Sequence, residues 1–257
     1  MPWTSELADT VIVFDLDDTL YPEEAYVRSG IVAVCALAAG LFGVDHTPEL
    51  LALRDAGERD WLTALCERLP SGAGARDSLL WVYRLHEPRI ALDPEVRALV
   101  NRVMAEARGT AIITDGRSVT QRLKLRALGL STLQTYVSEE YGNHEKPDPT
   151  RFLAVMSDFP ADQYLYVADN PAKDFIAPRA LGWLTIGVVG QGDRVHALPE
   201  KLQAIHSPDE WLADVSQLLD IRSSSRSPNV LECSQQDSRG EEELIFGPPP
   251  QFPCMKC

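Results

Sequence analysis

Positive charge is scarce in this chain. Its 257 residues carry 24 Lys and Arg against 38 Asp and Glu, a formal net charge of -14 at pH 7. There is no basic stripe to neutralise phosphates, which argues against nucleic-acid binding. An acidic protein that handles an anionic ligand must concentrate its positive charge locally, in a metal, a lysine or helix ends. Cysteine is thin as well: five, at scattered positions, make no disulfide framework. Cys254-Met255-Lys256-Cys257 has the CxxC form but lacks the second pair of a zinc site. The longest apolar run, residues 30–44, is too short to span a bilayer and rich in Ala and Gly, so a buried helix is expected there. No basic segment followed by an apolar core opens the chain, and no signal peptide is evident. The cytoplasm, with no membrane contact, is the expected location. Internal repeats are absent. At 45% hydrophobic residues the chain can bury a core, as one large α/β domain with an insertion or as two domains.

Against these absences stands one dense stretch. Val11-Ile12-Val13-Phe14 is an apolar run that reads as a strand buried on both faces. It breaks abruptly into Asp15-Leu16-Asp17-Asp18-Thr19. Side chains alternate along an extended chain, so Asp15 and Asp17 leave the strand end on one side and Asp18 on the other. Neighbouring carboxylates repel unless a cation or a shared proton lies between them. A divalent metal is the simplest account, with one carboxylate free to attack and the other to move a proton.

The text from residue 22 to 108 is helical throughout, opened by Tyr21-Pro22-Glu23-Glu24 and punctuated by Thr47-Pro48-Glu49, Pro70 and Asp93-Pro94-Glu95. Strand and helix then alternate. Residues 110–113 form a strand, and Ser118-Val119-Thr120-Gln121 has the form of a capping box that opens a helix. A strand follows at 135–138 and a helix after Asp148-Pro149. Residues 164–168 and 183–188 are strands with a helix between them, and Ser207-Pro208-Asp209-Glu210 opens a last helix ending near Leu219. This alternation predicts an α/β fold, a doubly wound parallel sheet with helices on both faces. The expected division is a core of 1–21 and 109–221, a helical insertion over 22–108 and a disordered tail over 222–257.

In such a sheet ligands bind at the carboxyl ends of the strands. Those ends carry Asp15 and Asp17, then Thr114 with Asp115 and Gly116, then Lys146, then Asp169 with Asp174 five residues on. Nucleophile, hydroxyl, cation and metal ligands thus come at successive strand ends. The set resembles the haloacid dehalogenase superfamily, phosphatase type, over roughly residues 10–219. The family's DxDxT motif is Asp15 to Thr19, and its strand-end hydroxyl matches Thr114. Its lysine matches Lys146 in Lys146-Pro147-Asp148-Pro149, and its acidic pair matches Asp169 and Asp174. Ala168 stands where many members have Gly.

The resemblance implies a Rossmann-like catalytic core with a helical C1-type cap over 22–108; the stretch from Gly116 to Lys146 is too short for the other cap type. It implies a Mg²⁺-dependent phosphatase acting on a small phosphorylated metabolite, such as a sugar phosphate or nucleotide. Asp15 is expected to attack phosphorus and form an aspartyl phosphate. Asp17 is expected to protonate the leaving alcohol and then activate water. The Mg²⁺ ligands would be Asp15, Asp169 and Asp17, the last through its main-chain carbonyl. Lys146 adds positive charge, while Thr114 and the amides of Asp115 and Gly116 bind phosphoryl oxygens near a helix N-terminus. Asp174, with Asn170, orients Lys146 or a metal-bound water. Arg84 and His86, where the insertion returns to the core, are candidate substrate contacts. Dehalogenase members lack an acid at the place of Asp17, since a halide leaves without a proton. A phosphomutase of the same family and a non-catalytic ligand- or partner-binding member are the alternatives.

Overall fold

A computed structural model describes residues 6–70, 72–189 and 203–220. The expected tail, 222–257, lies outside these residues. Six strands form one parallel sheet in the order β3-β2-β1-β4-β5-β6. They are β1 Thr10–Phe14, β2 Gly109–Thr114, β3 Gln134–Val137, β4 Gln163–Ala168, β5 Leu184–Val188 and β6 Glu210–Leu212. Every strand pairing is parallel.

β1 is buried along its whole length because both of its faces are covered. Ile12 and Phe14 join one core with Ile112, Leu165 and Val167. Val11 and Val13 join another with Ala111, Ile113, Tyr136 and Tyr166. The two-residue period of an extended chain produces this partition. Helices α5 (Pro94–Glu106) and α6 (Ser118–Ala127) contribute to the first core, and α7 (Thr150–Asp158) and α8 (Ile176–Ala180) to the second. The doubly wound architecture follows.

Between β1 and β2 the chain forms α1 Glu23–Phe42, α2 Thr47–Asp55, α3 Trp61–Arg68 and α4 Arg76–Leu85 before α5. These four helices close a core of their own, around Ile31, Val34, Leu50, Trp61, Leu65 and Leu79. The helix α1 is long and apolar enough to cross a membrane by length and composition, and a third of its most apolar stretch is buried within the fold. The expected insertion, 22–108, therefore has two parts: α1–α4 pack on one another, while Val96, Leu99, Val100 and Val103 of α5 pack on the sheet. An amphipathic pattern shows that a helix has a buried face, not which core receives it.

The expected last helix is instead β6 followed by a 3-10 turn, Val215–Leu219. Asp209 does not cap a helix. Its carboxylate accepts from the Thr185 amide at 2.9 Å and the Thr185 hydroxyl at 2.8 Å, and pairs with Arg179 at 2.8 Å. That anchors the segment beside β5, where Glu210 to Leu212 add a strand.

Gly30 marks where α1 meets α4. A Cβ there would lie 2.2 Å from Tyr83 Cε2, and the Tyr83 ring is already held between Tyr26 and Trp61, with centroids 5.3 and 5.4 Å away. Gly30→Ala gains about 1 kcal/mol of helix propensity, against an overpacking cost of about 1–3 kcal/mol. Urea denaturation is expected to show a net loss of stability; a gain would mean that the Tyr83 ring yields freely.

Candidate active site

The strand order reverses direction at β1, between β2 and β4, which is where a doubly wound sheet opens a crevice. Asp15 sits just past the end of β1, its amide still donating to the Val167 carbonyl at 2.9 Å. Its position is thus fixed by the sheet. The Asp15 carboxylate is buried and lies 3.0 Å from Lys146 Nζ. Lys146 Nζ also lies 2.6 Å from Asp174 Oδ1 and donates to the Tyr166 hydroxyl at 3.1 Å. Asp174 is wholly buried, and its Oδ2 accepts from the Asn170 amide at 2.9 Å. The Asn170 side-chain oxygen accepts from the Ala172 amide at 3.0 Å, closing the turn after β4. Asp174 thus forms an ion pair with Lys146.

Carboxylate oxygens of Asp15, Asp169 and Asp174 lie within 4.8 Å of one another. Burial pushes the Asp15 carboxyl up to about 6, with Lys146 opposing and Asp174 reinforcing the rise. Burial, then the charges of Asp15 and Asp174, push Asp169 up to about 8. One lysine against three carboxylates leaves the charge that one divalent cation would cancel. The donors are all hard oxygens, which suits such an ion. The residues present therefore fit a divalent metal.

Asp17 is not part of this triad. Its Oδ1 accepts from Lys124 Nζ at 2.7 Å and from the Tyr21 hydroxyl at 2.5 Å, and its Oδ2 from Gln121 Nε2 at 3.1 Å. Burial favours the neutral acid here, but Lys124 and the hydrogen bonds outweigh it and hold Asp17 below the usual carboxylate range. Of the residues expected to hold a metal, Asp17 keeps its side chain outside this cluster; the side chain that joins Asp15 and Asp169 is that of Asp174. Asp18, expected on the other side of the strand end, has a positive φ of 55° that Asp tolerates better than most residues, and its Oδ1 accepts from the Glu23 amide at 2.8 Å at the start of α1.

The loop after β2 departs in detail from expectation. Thr114 ends β2 fully buried, and its carbonyl accepts from Arg151 Nη1 at 2.8 Å. The Asp115 carboxylate is caged: Arg151 Nη2 at 2.5 Å and the Lys146 amide at 3.2 Å reach Oδ1, and Lys173 Nζ at 2.7 Å reaches Oδ2. Burial would raise it, but Lys146, Lys173 and Arg151 hold it down at about 2. The Gly116 amide, expected to face a phosphoryl oxygen, donates to Ser138 Oγ at 2.9 Å instead. Gly116 has φ +123°, a region that L side chains rarely adopt. Nor does the expected capping box form. The Ser118 amide donates to Glu139 Oε2 at 2.8 Å and its hydroxyl to Glu140, so acids of the turn after β3 cap α6 and leave Gln121 free to face Asp17.

A cavity of about 360 Å³ opens over these groups. Asp15, Asp17, Asp115, Gly116, Asp169 and Asn170 line it from the strand ends, Tyr26, Tyr83 and Arg84 from the helical block. His86 does not line it. Its Nδ1 lies 2.5 Å from the Tyr83 carbonyl, its Nε2 3.2 Å from Ser29 Oγ, and its ring packs on Tyr26 and Tyr83. Sequence reasoning missed Gln121, Lys124, Arg151 and Lys173. Lys124 and Arg151 are 2% and 0% exposed. The one available signal was their placement on the apolar faces of α6 and α7, next to Leu125 and Phe152.

Residues 10–182 match a family model described as haloacid dehalogenase-like hydrolase. A ribulose-1,5-bisphosphate 5-phosphatase of Halopiger xanaduensis is 28% identical over 203 residues, 69% of this chain and 83% of that protein. Among solved structures, the HAD-hydrolase YfnB of Bacillus subtilis, bound to magnesium, aligns with a TM-score of 0.56 at 20% identity, over 84% of this chain and 99% of its own. A 2-haloacid dehalogenase of Pseudomonas syringae pv. Tomato aligns with a TM-score of 0.53 at 22% identity, over 84% and 99%. At these identities the structures share the fold.

Burial and like charges hold Asp15 near 6 and Asp169 near 8, and burial with the charge of Asp17 holds Glu23 near 7. Between the ordinary carboxylate value and these, the folded protein binds protons that the unfolded chain has released, so stability falls as pH rises. His86, held down by burial, acts the other way only below about 6.5. Asp17 and Asp115, both lowered, matter only at more acidic pH. In chelator, the Tm is expected to fall by several degrees from pH 6.5 to 8.5. A saturating divalent cation should remove most of that slope by replacing the protons. A flat profile in chelator would show that the triad does not store this repulsion.

Proposed function

The chain belongs to the haloacid dehalogenase-like hydrolases, and we propose that within them it is a Mg²⁺-dependent phosphatase of small phosphorylated metabolites. One observation carries this reading: Asp17, a second carboxylate on the cavity wall with Asp15, kept apart from the triad by Lys124, Tyr21 and Gln121. A halide leaves as a stable anion. An alkoxide needs a proton, and a separate carboxyl beside the nucleophile supplies one.

Asp15 attacks phosphorus, and the bond to the leaving oxygen breaks as Asp17 gives that oxygen its proton. Water then attacks the phosphoryl-Asp15, Asp17 takes its proton, and inorganic phosphate and free Asp15 are restored. Lys146 fixes the Asp15 carboxylate and lends positive charge to the phosphoryl oxygens. Lys124 and Tyr21 hold Asp17 ionised in the resting cavity, which suits its second role as base. A phosphate dianion arriving beside it raises its proton affinity, so Asp17 takes up a proton from solvent as the ester binds, gives it to the leaving oxygen, and releases to solvent the proton it later takes from water. Asp15 and Asp169, with the Asp17 main-chain carbonyl, would hold Mg²⁺, which when bound neutralises charge on the phosphoryl group.

The cavity lies between the strand ends and the helical block, which we read as a cap that limits access and excludes water. Its volume, at the low end for ligand sites, suits a small ester. The 5-phosphatase relative acts, by its name, on a sugar bisphosphate, which supports a phosphorylated sugar or similar metabolite here.

Phosphate release from a panel of small esters tests the reading. Release is expected with Mg²⁺, lost in EDTA, and reduced to blank level by Asp15→Asn. Asp17→Asn should cost about 10²–10⁴-fold with alkyl phosphates, and far less with p-nitrophenyl phosphate, whose phenolate leaves without a proton. Undiminished release by Asp15→Asn would overturn the mechanism. Halide release from 2-haloacids without phosphate release would overturn the function.

A further inference from the structure

Among the described residues four cations line the cavity: Arg84, Arg117, Lys124 and Lys173. Lys124 is held by Asp17 and Lys173 by Asp115, each at 2.7 Å. Arg117 has Glu139 at 3.4 Å, in an exposed pair that neutralises little. Arg84 differs from all three. Among the described residues no carboxylate forms an ion pair with it; its partner is an aromatic ring. The Arg84 guanidinium carbon lies 5.4 Å from the Trp81 ring centroid, and that of Arg117 lies 5.7 Å from the same ring. An aromatic face restrains a guanidinium while leaving its charge and its in-plane N–H donors available. A carboxylate would consume both.

The backbone at Arg84 is fastened too. The Thr120 hydroxyl donates to the Arg84 carbonyl at 3.2 Å, tying the last turn of α4 to α6 beside the cavity. Arg84 in that last turn also complements the helix dipole. The dipole explains a cation at this end of α4. It does not explain a charge left unpaired on the wall of a ligand cavity. In a chain of net charge -14, whose cavity also presents six carboxylates, any anionic ligand meets repulsion unless positive charge is kept locally free.

We propose that Arg84, with Arg117 over the same ring, binds a second oxyanion group of the substrate, so that the preferred substrate is a short phosphate ester carrying a carboxylate or another phosphate at its far end. The scissile phosphoryl group then sits at the strand ends with Asp15, and the charged tail at the wall supplied by α4. This rests on the phosphatase reading and adds the class of ester. Charge-assisted hydrogen bonds from a planar guanidinium fork give the tail both affinity and a fixed orientation.

The test compares kcat/KM for three esters: a sugar bisphosphate, a phosphorylated hydroxy acid and a neutral-tailed ester such as glycerol phosphate. The wild type is expected to favour at least one charged-tail ester by about tenfold or more, and the better of the two identifies the tail as phosphate or carboxylate. Arg84→Gln should bring that preference close to one, mainly through KM, and Arg84→Lys should restore part of it. Trp81→Leu, at a half-exposed ring, should give an intermediate loss. A dipole role alone would lower stability and leave the preference intact. Equal kcat/KM for charged and neutral tails, or an equal loss for all esters in Arg84→Gln, would overturn the proposal while leaving the phosphatase reading in place. Absence of phosphate release from every ester would overturn the phosphatase reading itself.

Discussion

Like charges forced together out of water set the terms for this structure. Asp15 and Asp169 follow adjacent parallel strands, β1 and β4, whose registered pairing carries both chains to the same edge of the sheet. Asp174 then folds back through the turn at Asn170 to bring a third carboxylate within 4.8 Å. The sheet fixes these positions, so the groups cannot relax apart. Burial and neighbouring carboxylates raise Asp15 and Asp169, and Lys146 answers only part of it. What remains is a standing demand for positive charge at one point, and that demand marks the strand ends as a candidate site.

A second lysine meets a different demand. Lys146 reaches Asp15 and Asp174 from the loop after β3; Lys124 reaches Asp17 from α6. The two networks push neighbouring aspartates in opposite directions, Asp15 up to about 6 and Asp17 below the ordinary range. Two carboxyls whose environments separate their proton affinities can take different parts in one reaction. The separation comes from helix placement: α6 begins where Glu139 and Glu140 hold its first residue, and this turns both Gln121 and Lys124 toward Asp17.

The parts legible in the sequence were those written in local pattern. Val11 to Phe14 read as a doubly buried strand, and the polar residues at successive strand ends fall on the sheet edge where the candidate site lies. The illegible parts depend on distant partners. Ser207 to Glu210 have the form of a helix start, but Thr185 and Arg179 claim the Asp209 carboxylate, and a strand results. Ser118 and Gln121 have the spacing of a capping box, yet each finds a stronger partner elsewhere. Lys124 is 107 residues from Asp17 and Arg151 is 36 from Asp115. On a helix of unknown orientation such residues read as solvated. His86 shows the reverse: a residue of catalytic type whose nitrogens are taken by Tyr83 and Ser29.

Fold likeness alone does not choose among hydrolytic chemistries, since structures of dehalogenases share this architecture at 22% identity. The choice falls to the surroundings of single side chains. Placing a lysine at 2% exposure is costly unless an anion meets it, and Asp17 is that anion at 2.7 Å. In place of two such residues, an apolar pair of similar volume often packs as well at less desolvation cost. The two persist together on the cavity wall with a tyrosine and a glutamine aimed at the same carboxylate. On the proposed reading the arrangement serves to move a proton, and proton movement is what separates the departure of an alcohol from that of a halide.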